Sequence, residues 1–327
     1  MKMPAGRGEL SSAVVRVLGL RPGEAGADPF RGVDAEGAAP YGEDLHLALY
    51  LCYELHYRGI EGVDDAWEWD PRLLALRGAL ERRFLGALRA DVPAREDAAG
   101  LLDELLVEPV NGTGVSYFLR DRAGIEQVRE YAALRSLYHL KEGDPHAWVI
   151  PRLTGRAKAG FVAVEYDEYG GGHPDRMHVR LYADLMADLG LDTRYGHYME
   201  SGTAELLATV NLMSMFGLHR ALRGALVGHF ATVEITSSPG SRRIAQGMER
   251  VGAGPAAVGF YTEHVEADAV HEQMMRREVV GGLLADEPEL ERDVAFGVGA
   301  TVWLEDRLGE RLIEAWEAGR SALRAPL

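Results

Sequence analysis

A single cysteine, Cys52, occurs in the 327 residues. No intrachain disulfide can form, and no thiolate set exists for a zinc ribbon or an iron–sulfur cluster. Long apolar runs are missing too. Nothing in the sequence approaches the roughly 18 residues of a membrane-spanning helix, so no membrane partner is expected. The opening stretch Met1–Leu10 lacks an apolar signal core, which makes a cytoplasmic location the expectation. Basic residues are outnumbered, 35 against 51 acidic ones, for a formal charge of -16. Such a chain lacks the basic footprint by which proteins hold DNA or RNA, and no nucleic-acid partner is expected.

What is present is an ordinary globular composition, 47% hydrophobic and 26% charged, on a chain long enough to bury a sizeable core. A short helix is expected around Leu10–Leu18. Residues 21–43, rich in Gly, Ala, Asp and Pro, read as a linker, so that 1–43 form a mobile arm. From Asp44 onward the apolar spacing is helical almost throughout. Asp44–Tyr57, Pro71–Asp91 and Asp97–Leu106 make an auxiliary helical region over 44–114, closed by a loop at Glu108–Gly114. A larger bundle then occupies 115–327. Its helices are expected at Gly124–Lys141, Leu153–Tyr169, from Pro174 to Leu189, Thr203–Phe216, Leu218–Thr236, Ser241–Val251, Pro255–Val280 and Glu287–Trp316. No internal repeat and no succession of alternating strands occurs. The expected fold is all-α, a helical bundle with auxiliary N-terminal helices.

Within that bundle one segment carries chemistry. His264, Asp268 and His271 stand at i, i+4 and i+7, and at about 100° per residue they share roughly a 60° arc of a helix. Two imidazoles and a carboxylate on one face suit iron, manganese or zinc, and a carboxylate-rich setting favours iron. That setting lies upstream, where Glu168, Asp175 and His178 form an E-x6-[D/E]-x2-H pattern preceded by Glu142. Neighbouring Glu263, Glu266 and Glu272 show that an acidic helix face also produces such spacings by chance; agreement between the separated segments favours a metal. Glu234 sits in an otherwise apolar helix and needs a partner, either a metal ion or an arginine such as Arg223. His229 in the same helix reads as a satisfied core histidine. His139, His146 and His219 lie near helix ends, where hydrogen bonding explains them better than ligation. Arg152, Arg156, Arg220, Arg223, Arg242 and Arg243 are the cationic candidates for touching a substrate carboxylate, although helix arginines mostly pair with acids.

The runs Phe161–His178, Asn211–His229 and Glu263–His271 together resemble the haem-oxygenase-like diiron oxidases, in the actinobacterial branch often labelled iron-containing redox enzymes. The likeness covers about Val115 to Trp316. It implies a haem-oxygenase-like bundle holding two non-haem ferrous ions, with ligands matching Glu142, Glu168, Asp175, His178, His264, Asp268 and His271. Glu234 corresponds to an extra glutamate seen in relatives that cleave fatty acids. Asp175 departs from the pattern, because relatives usually carry the longer glutamate there. The triple glycine beside Glu168 would let that ligand swing, so one iron is expected to be labile.

The implied activity is that of an iron-dependent oxidoreductase, with dioxygen as co-substrate and an external electron donor. The small-molecule substrate would be an amine, amino acid or fatty acid, undergoing N-oxygenation or oxidative C–C cleavage. The resemblance also implies a homodimer formed through the auxiliary helices. An alternative is a non-catalytic iron-binding or biosynthetic partner protein on the same bundle. Ferritin-like storage is disfavoured, because only one Glu-x-x-His-like pair is present.

Overall fold

The computed structural model describes residues 1–108 and 112–327, apart from the side chains of residues 266–269. The expected loop at Glu108–Gly114 therefore lies partly outside the described residues. Among those described, the chain is helical and without strands. The helices are α1 (Glu9–Leu18), α2 (Glu43–Glu54), α3 (Pro71–Asp91), α4 (Ala98–Leu105), α5 (Val115–Asp121), α6 (Ile125–His139) and the single turn α7 (Asp144–Ala147). They continue with α8 (Gly155–Glu168), α9 (His178–Asp188), α10 (Ala204–Leu218), α11 (Arg223–Val251), α12 (Pro255–Met274), α13 (Gly281–Asp286) and α14 (Glu291–Glu317). A π-helical segment, Met275–Val280, joins α12 to α13. No described helix is long and apolar enough to cross a membrane.

Local chemistry sets many of the helix starts. Asp70 accepts a hydrogen bond from the Arg72 amide while Pro71 occupies the first turn, where its missing N–H costs nothing. Asp97 caps α4 through the Gly100 amide, and Thr203 caps α10 through that of Leu206. α10 is buried at nearly every position from Ala204 to Gly217, as a helix apolar on all sides must be. α11 packs on α12 along one side and on α14 along another. At the α11–α14 crossing the backbones touch. A Cβ built on Gly228 would stand 2.1 Å from Val294 O, and one on Gly297 would stand 2.0 Å from Ala225 O. Only glycine permits that approach.

Two boundaries differ from the sequence expectation. Pro174 does not open a helix. Gly170, Gly171 and Gly172 all take positive φ (68, 60 and 83°), and α9 begins only at His178. A Cβ at Gly170 would meet Met177 N at 2.6 Å, so this fold-back requires glycine. The break expected between Leu218–Thr236 and Ser241–Val251 does not occur, and Pro239, which falls between them, lies inside the continuous α11. Packing against α12 on this side holds the helix together across the hydrogen bond that proline cannot donate.

Residues 1–43, read above as an arm, are held against the body. Leu10, Val14, Val17 and Leu18 on α1 are buried, and α1 packs on α2. The Arg7 guanidinium donates to Gly202 O at 2.8 Å and Met199 O at 2.6 Å.

Buried polar contacts join the auxiliary helices to the bundle, and two of them fix α2. On α2, His46 accepts from the Asn211 amide of α10 at both its Nδ1 (3.2 Å) and its carbonyl (2.8 Å). Lys141, in the turn after α6, reaches back to Glu54 at the end of α2, with Nζ 3.5 Å from Oε2. Its ammonium also lies over the rings of Tyr50 and Tyr57, at 4.6 and 4.5 Å. Lys141 is 1% exposed and Glu54 0%. Burial lowers the Lys141 pKa, and Glu54 opposes that shift.

Burial lowers the pKa of His46 from 6.5 to about 3. Above pH 6.5 the ring is neutral in folded and unfolded chains alike, and its packing is fully stabilising. As the pH falls below 6.5, only the unfolded chain takes up the proton. Stability should then decline by about 1.4 kcal/mol per pH unit from this residue, down to about pH 3. Urea denaturation at pH 7, 6 and 5 measures the slope, and His46→Gln should flatten it by that amount. An unchanged slope would show that His46 protonates in the folded state.

Candidate metal centre

Six buried side chains converge from five segments. Glu142 lies in the turn between α6 and α7, and Glu168 ends α8. His178 is the first residue of α9, Glu234 lies within α11, and α12 carries His264 and His271. The buried positions of α8 run 157, 160, 161, 164, 165 and 168, so helical periodicity alone turns Glu168 inward. The two histidine-bearing helices are tied to each other. Asp188 at the end of α9 accepts hydrogen bonds from Ala256 N (2.7 Å) and Ala257 N (3.2 Å) in the first turn of α12.

These residues form two groups. Glu142, His178 and His264 make one, and Glu168, Glu234 and His271 the other, each with its ligand atoms within 4.8 Å of one another. The groups adjoin, because His178 Nδ1 approaches Glu168 Oε2 to 2.7 Å. The angles of that approach are not those of a hydrogen bond.

The ring orientations can be read individually. His264 Nδ1 donates to Phe260 O at 2.7 Å, which leaves Nε2 buried with no hydrogen-bond partner. A metal-ligating histidine typically has this arrangement, one nitrogen anchored to a carbonyl and the other presenting its lone pair. His271 stands between Glu234 Oε2, 3.0 Å from Nδ1, and Asp167 Oδ2, 2.9 Å from Nε2. His139 Nδ1 lies 3.0 Å from Glu142 Oε1, and burial, reinforced by Arg135, holds that imidazole well below its usual pKa. His139 therefore donates as a neutral ring and fixes the Glu142 carboxylate. The donor set of three imidazoles and three carboxylates, with the orphaned Nε2 of His264, fits iron or manganese.

The structure brings Glu142, Glu168, His178, His264 and His271 of the candidate residues into these two groups. Glu234, left open between a metal and an arginine, joins the second group; Arg223 pairs with Glu287 instead. The side chain of Asp268 lies outside the described residues. Asp175 is exposed in the turn before α9, and the structure brings it to neither group. The glycine fold-back is the physical reason, since it returns the chain to the core at His178 and leaves residues 172–176 facing solvent. His229 is the core histidine expected, buried and bonded to Thr301 Oγ1 at 2.8 Å. Among the candidate arginines, Arg152 donates to Leu218 O at 2.8 Å, Arg156 to Arg277 O at 2.9 Å and Arg243 to Glu108 at 2.6 Å.

Glu165 was not singled out from the sequence. It stands one turn before Glu168 on the same buried face, is 2% exposed, and has no hydrogen-bond partner at either oxygen. Burial pushes its carboxyl well above the usual carboxylate range, and Glu168, Glu234, Asp144 and Glu142 push it further. The i, i+3 spacing from Glu168 was the signal available in the sequence.

Comparison with known proteins agrees with this geometry. The chain is 25% identical over 239 residues to a nitrosourea synthase from Streptomyces achromogenes subsp. streptozoticus, covering 69% of this chain. It spans about half, 51%, of that relative's length. Residues 129–306, more than half of the chain, match a family described as iron-containing redox enzymes, and they include every member of both metal groups. With its all-helical, haem-oxygenase-like bundle, the chain belongs to that family of iron-containing redox enzymes.

Proposed function

We propose that this chain is a non-haem diiron oxidoreductase that uses dioxygen to oxidise a nitrogen-bearing small molecule. The observation that carries the reading is the pair of adjoining buried groups, each with histidine and carboxylate ligand atoms, joined at His178 and Glu168. Ferrous iron held there would supply the electrons that activate dioxygen. The nitrosourea synthase among the chain's relatives supports oxidation at nitrogen over carbon–carbon cleavage.

The chain's own contribution is positioning and exclusion of water. Phe260 O locks the His264 ring so that Nε2 faces inward. His139 orients Glu142, and Asp167 occupies the outer nitrogen of His271. All six members of the two groups are buried, so charge within them acts in a low-dielectric setting where fixed partners have strong effects.

Anaerobic titration with ferrous ion, followed by exposure to dioxygen, tests the reading. Uptake near two irons per chain is expected, matching the two groups, followed by dioxygen consumption that accelerates with amine or guanidine substrates. Iron uptake without dioxygen consumption would favour a non-catalytic iron-binding protein. No uptake would remove the metal reading altogether.

A further inference from the structure

We propose that a pocket between Arg58 and the start of α9 receives the carboxylate of a small-molecule substrate, with the Arg58 guanidinium as its anchor. As a subsite for the molecule to be oxidised, it deepens the oxidoreductase reading proposed above and rests on it. The pocket has a volume of about 200 Å³. Leu140, Met177 and Val179 supply apolar wall, and Arg58, Arg180 and Tyr195 supply polar groups. A few polar groups set in an apolar wall is the usual make-up of a small-molecule site. Its place ties it to the first metal group. Met177 and Val179 flank His178, and Leu140 stands two residues before Glu142. The same two backbone segments thus carry both metal-group side chains and pocket wall. Tyr195 is linked to that turn as well. Its hydroxyl donates to Glu54 Oε2 at 2.7 Å, and Lys141 Nζ lies 3.5 Å from the same oxygen.

The two arginines differ in what they have free. Arg180 is paired with Asp184, its Nε 3.0 Å from Oδ2 and its Nη2 2.9 Å from Oδ1. Arg58 makes no hydrogen bond or ion pair with any described residue; its Cζ lies over the Tyr195 ring, 4.5 Å from the centroid. Stacking of this kind engages the face of a guanidinium and leaves its N–H edge for an acceptor. A carboxylate fits that edge, because it accepts two parallel N–H bonds from the fork. Arg58 also acts on Asp144, two residues after Glu142, without pairing with it; the Asp144 carboxylate accepts from the Tyr169 hydroxyl at 3.1 Å. In a chain of net charge -16, a cation left without an acid partner in a pocket wall favours an anionic ligand. The substrate class is then an amine that also bears a carboxylate, the chemistry of an amino acid.

Fluorine NMR with trifluoropropionate reads carboxylate binding without iron or dioxygen, and trifluoropropionamide is the uncharged control. In the metal-free wild type the carboxylate resonance should broaden and the amide resonance should not. Arg58 is exposed, so its substitution leaves the core intact, and far-UV circular dichroism confirms that each variant is folded. Arg58→Met should weaken probe binding roughly 10–100-fold, the loss of hydrogen bonds to a charged group. Arg58→Lys should recover part of it, and Arg180→Met should bind like the wild type. Loading the wild type with Mn(II) should then relax the bound fluorines further, because the paramagnetic ion acts at short range. No broadening in the wild type, equal binding of the amide, tighter binding of inorganic phosphate, or unchanged binding in Arg58→Met overturns the carboxylate site. If Mn(II) is taken up and leaves the bound fluorines unaffected, the pocket is not a subsite of the metal centre. A chain that binds the probe at Arg58 but takes up no Mn(II) instead removes the two-ion reading, and with it the pocket's part in oxidation.

Discussion

If each of the two groups holds an ion, replacing His264 by alanine should cost the protein one of them while leaving it folded. His264 presents the buried Nε2 that has no other partner, so its removal deletes a ligand atom from the group with Glu142 and His178. Removing a supporting residue around a metal already costs about 10–100-fold in affinity. Loss of a direct ligand should exceed the upper end of that range, a change of more than ~2.8 kcal/mol in binding. His229→Gln is the matched control. His229 is 2% exposed and bonded to Thr301, yet it belongs to neither group. It should retain the full metal content even if the protein melts earlier. Metal analysis after anaerobic loading and gel filtration reads both variants. Equal metal in His264→Ala and the wild type, or equal loss in the two variants, would contradict the site.

The second large effect concerns stability. Lys141→Met should destabilise the protein by about 3–5 kcal/mol, the range for breaking a buried ion pair from one side. The substitution leaves Glu54 fully buried, with the Tyr195 hydroxyl, at 2.7 Å, as its remaining hydrogen-bond donor among the described residues. It also removes the ammonium from the Tyr50 and Tyr57 rings. The double variant Lys141→Met, Glu54→Gln should recover much of the loss, because a neutral amide still accepts from Tyr195 and no bare charge remains. Urea denaturation of wild type, both single variants and the double variant yields the coupling directly. Lys141 precedes Glu142, so the single variant should also hold iron less tightly. If Lys141→Met lies within 0.5 kcal/mol of the wild type, the pair does not hold the auxiliary helices to the bundle.

The helices were legible in the sequence because each presents apolar residues at helical spacing, and α3 and α10 carry capping residues at the expected places. His264 and His271 were legible for a similar reason, because their spacing within α12 places them on one face; Glu142, Glu168 and His178 lie in a turn and on two other helices, and the motif pattern across separated segments nominated them. What failed was local structure decided by contacts distant in the sequence. Pro239 reads as a break, yet packing on α12 carries α11 through it. Pro174 reads as a helix start, yet three left-handed glycines fold the segment back and put Asp175 in solvent. Glu165 resembled one more acid on an acidic helix until its burial was known. The Glu54–Lys141 pair, 87 residues apart, leaves no periodic trace, and its partners look like ordinary surface charges.

The glycine crossing of α11 and α14 bears on how such a protein changes over time. Glu234 lies six residues beyond Gly228 on the same helix, about 9 Å along the axis. Its depth is set by backbone resting on backbone at Gly228 and Gly297, not by the bulk of the side chains around the site. Side chains around the two groups can therefore change, residue by residue, while the backbone under this carboxylate stays in place. A lineage built on this frame can vary the side chains around the two groups while the backbone that carries Glu234 keeps its place, provided that the two glycines are kept.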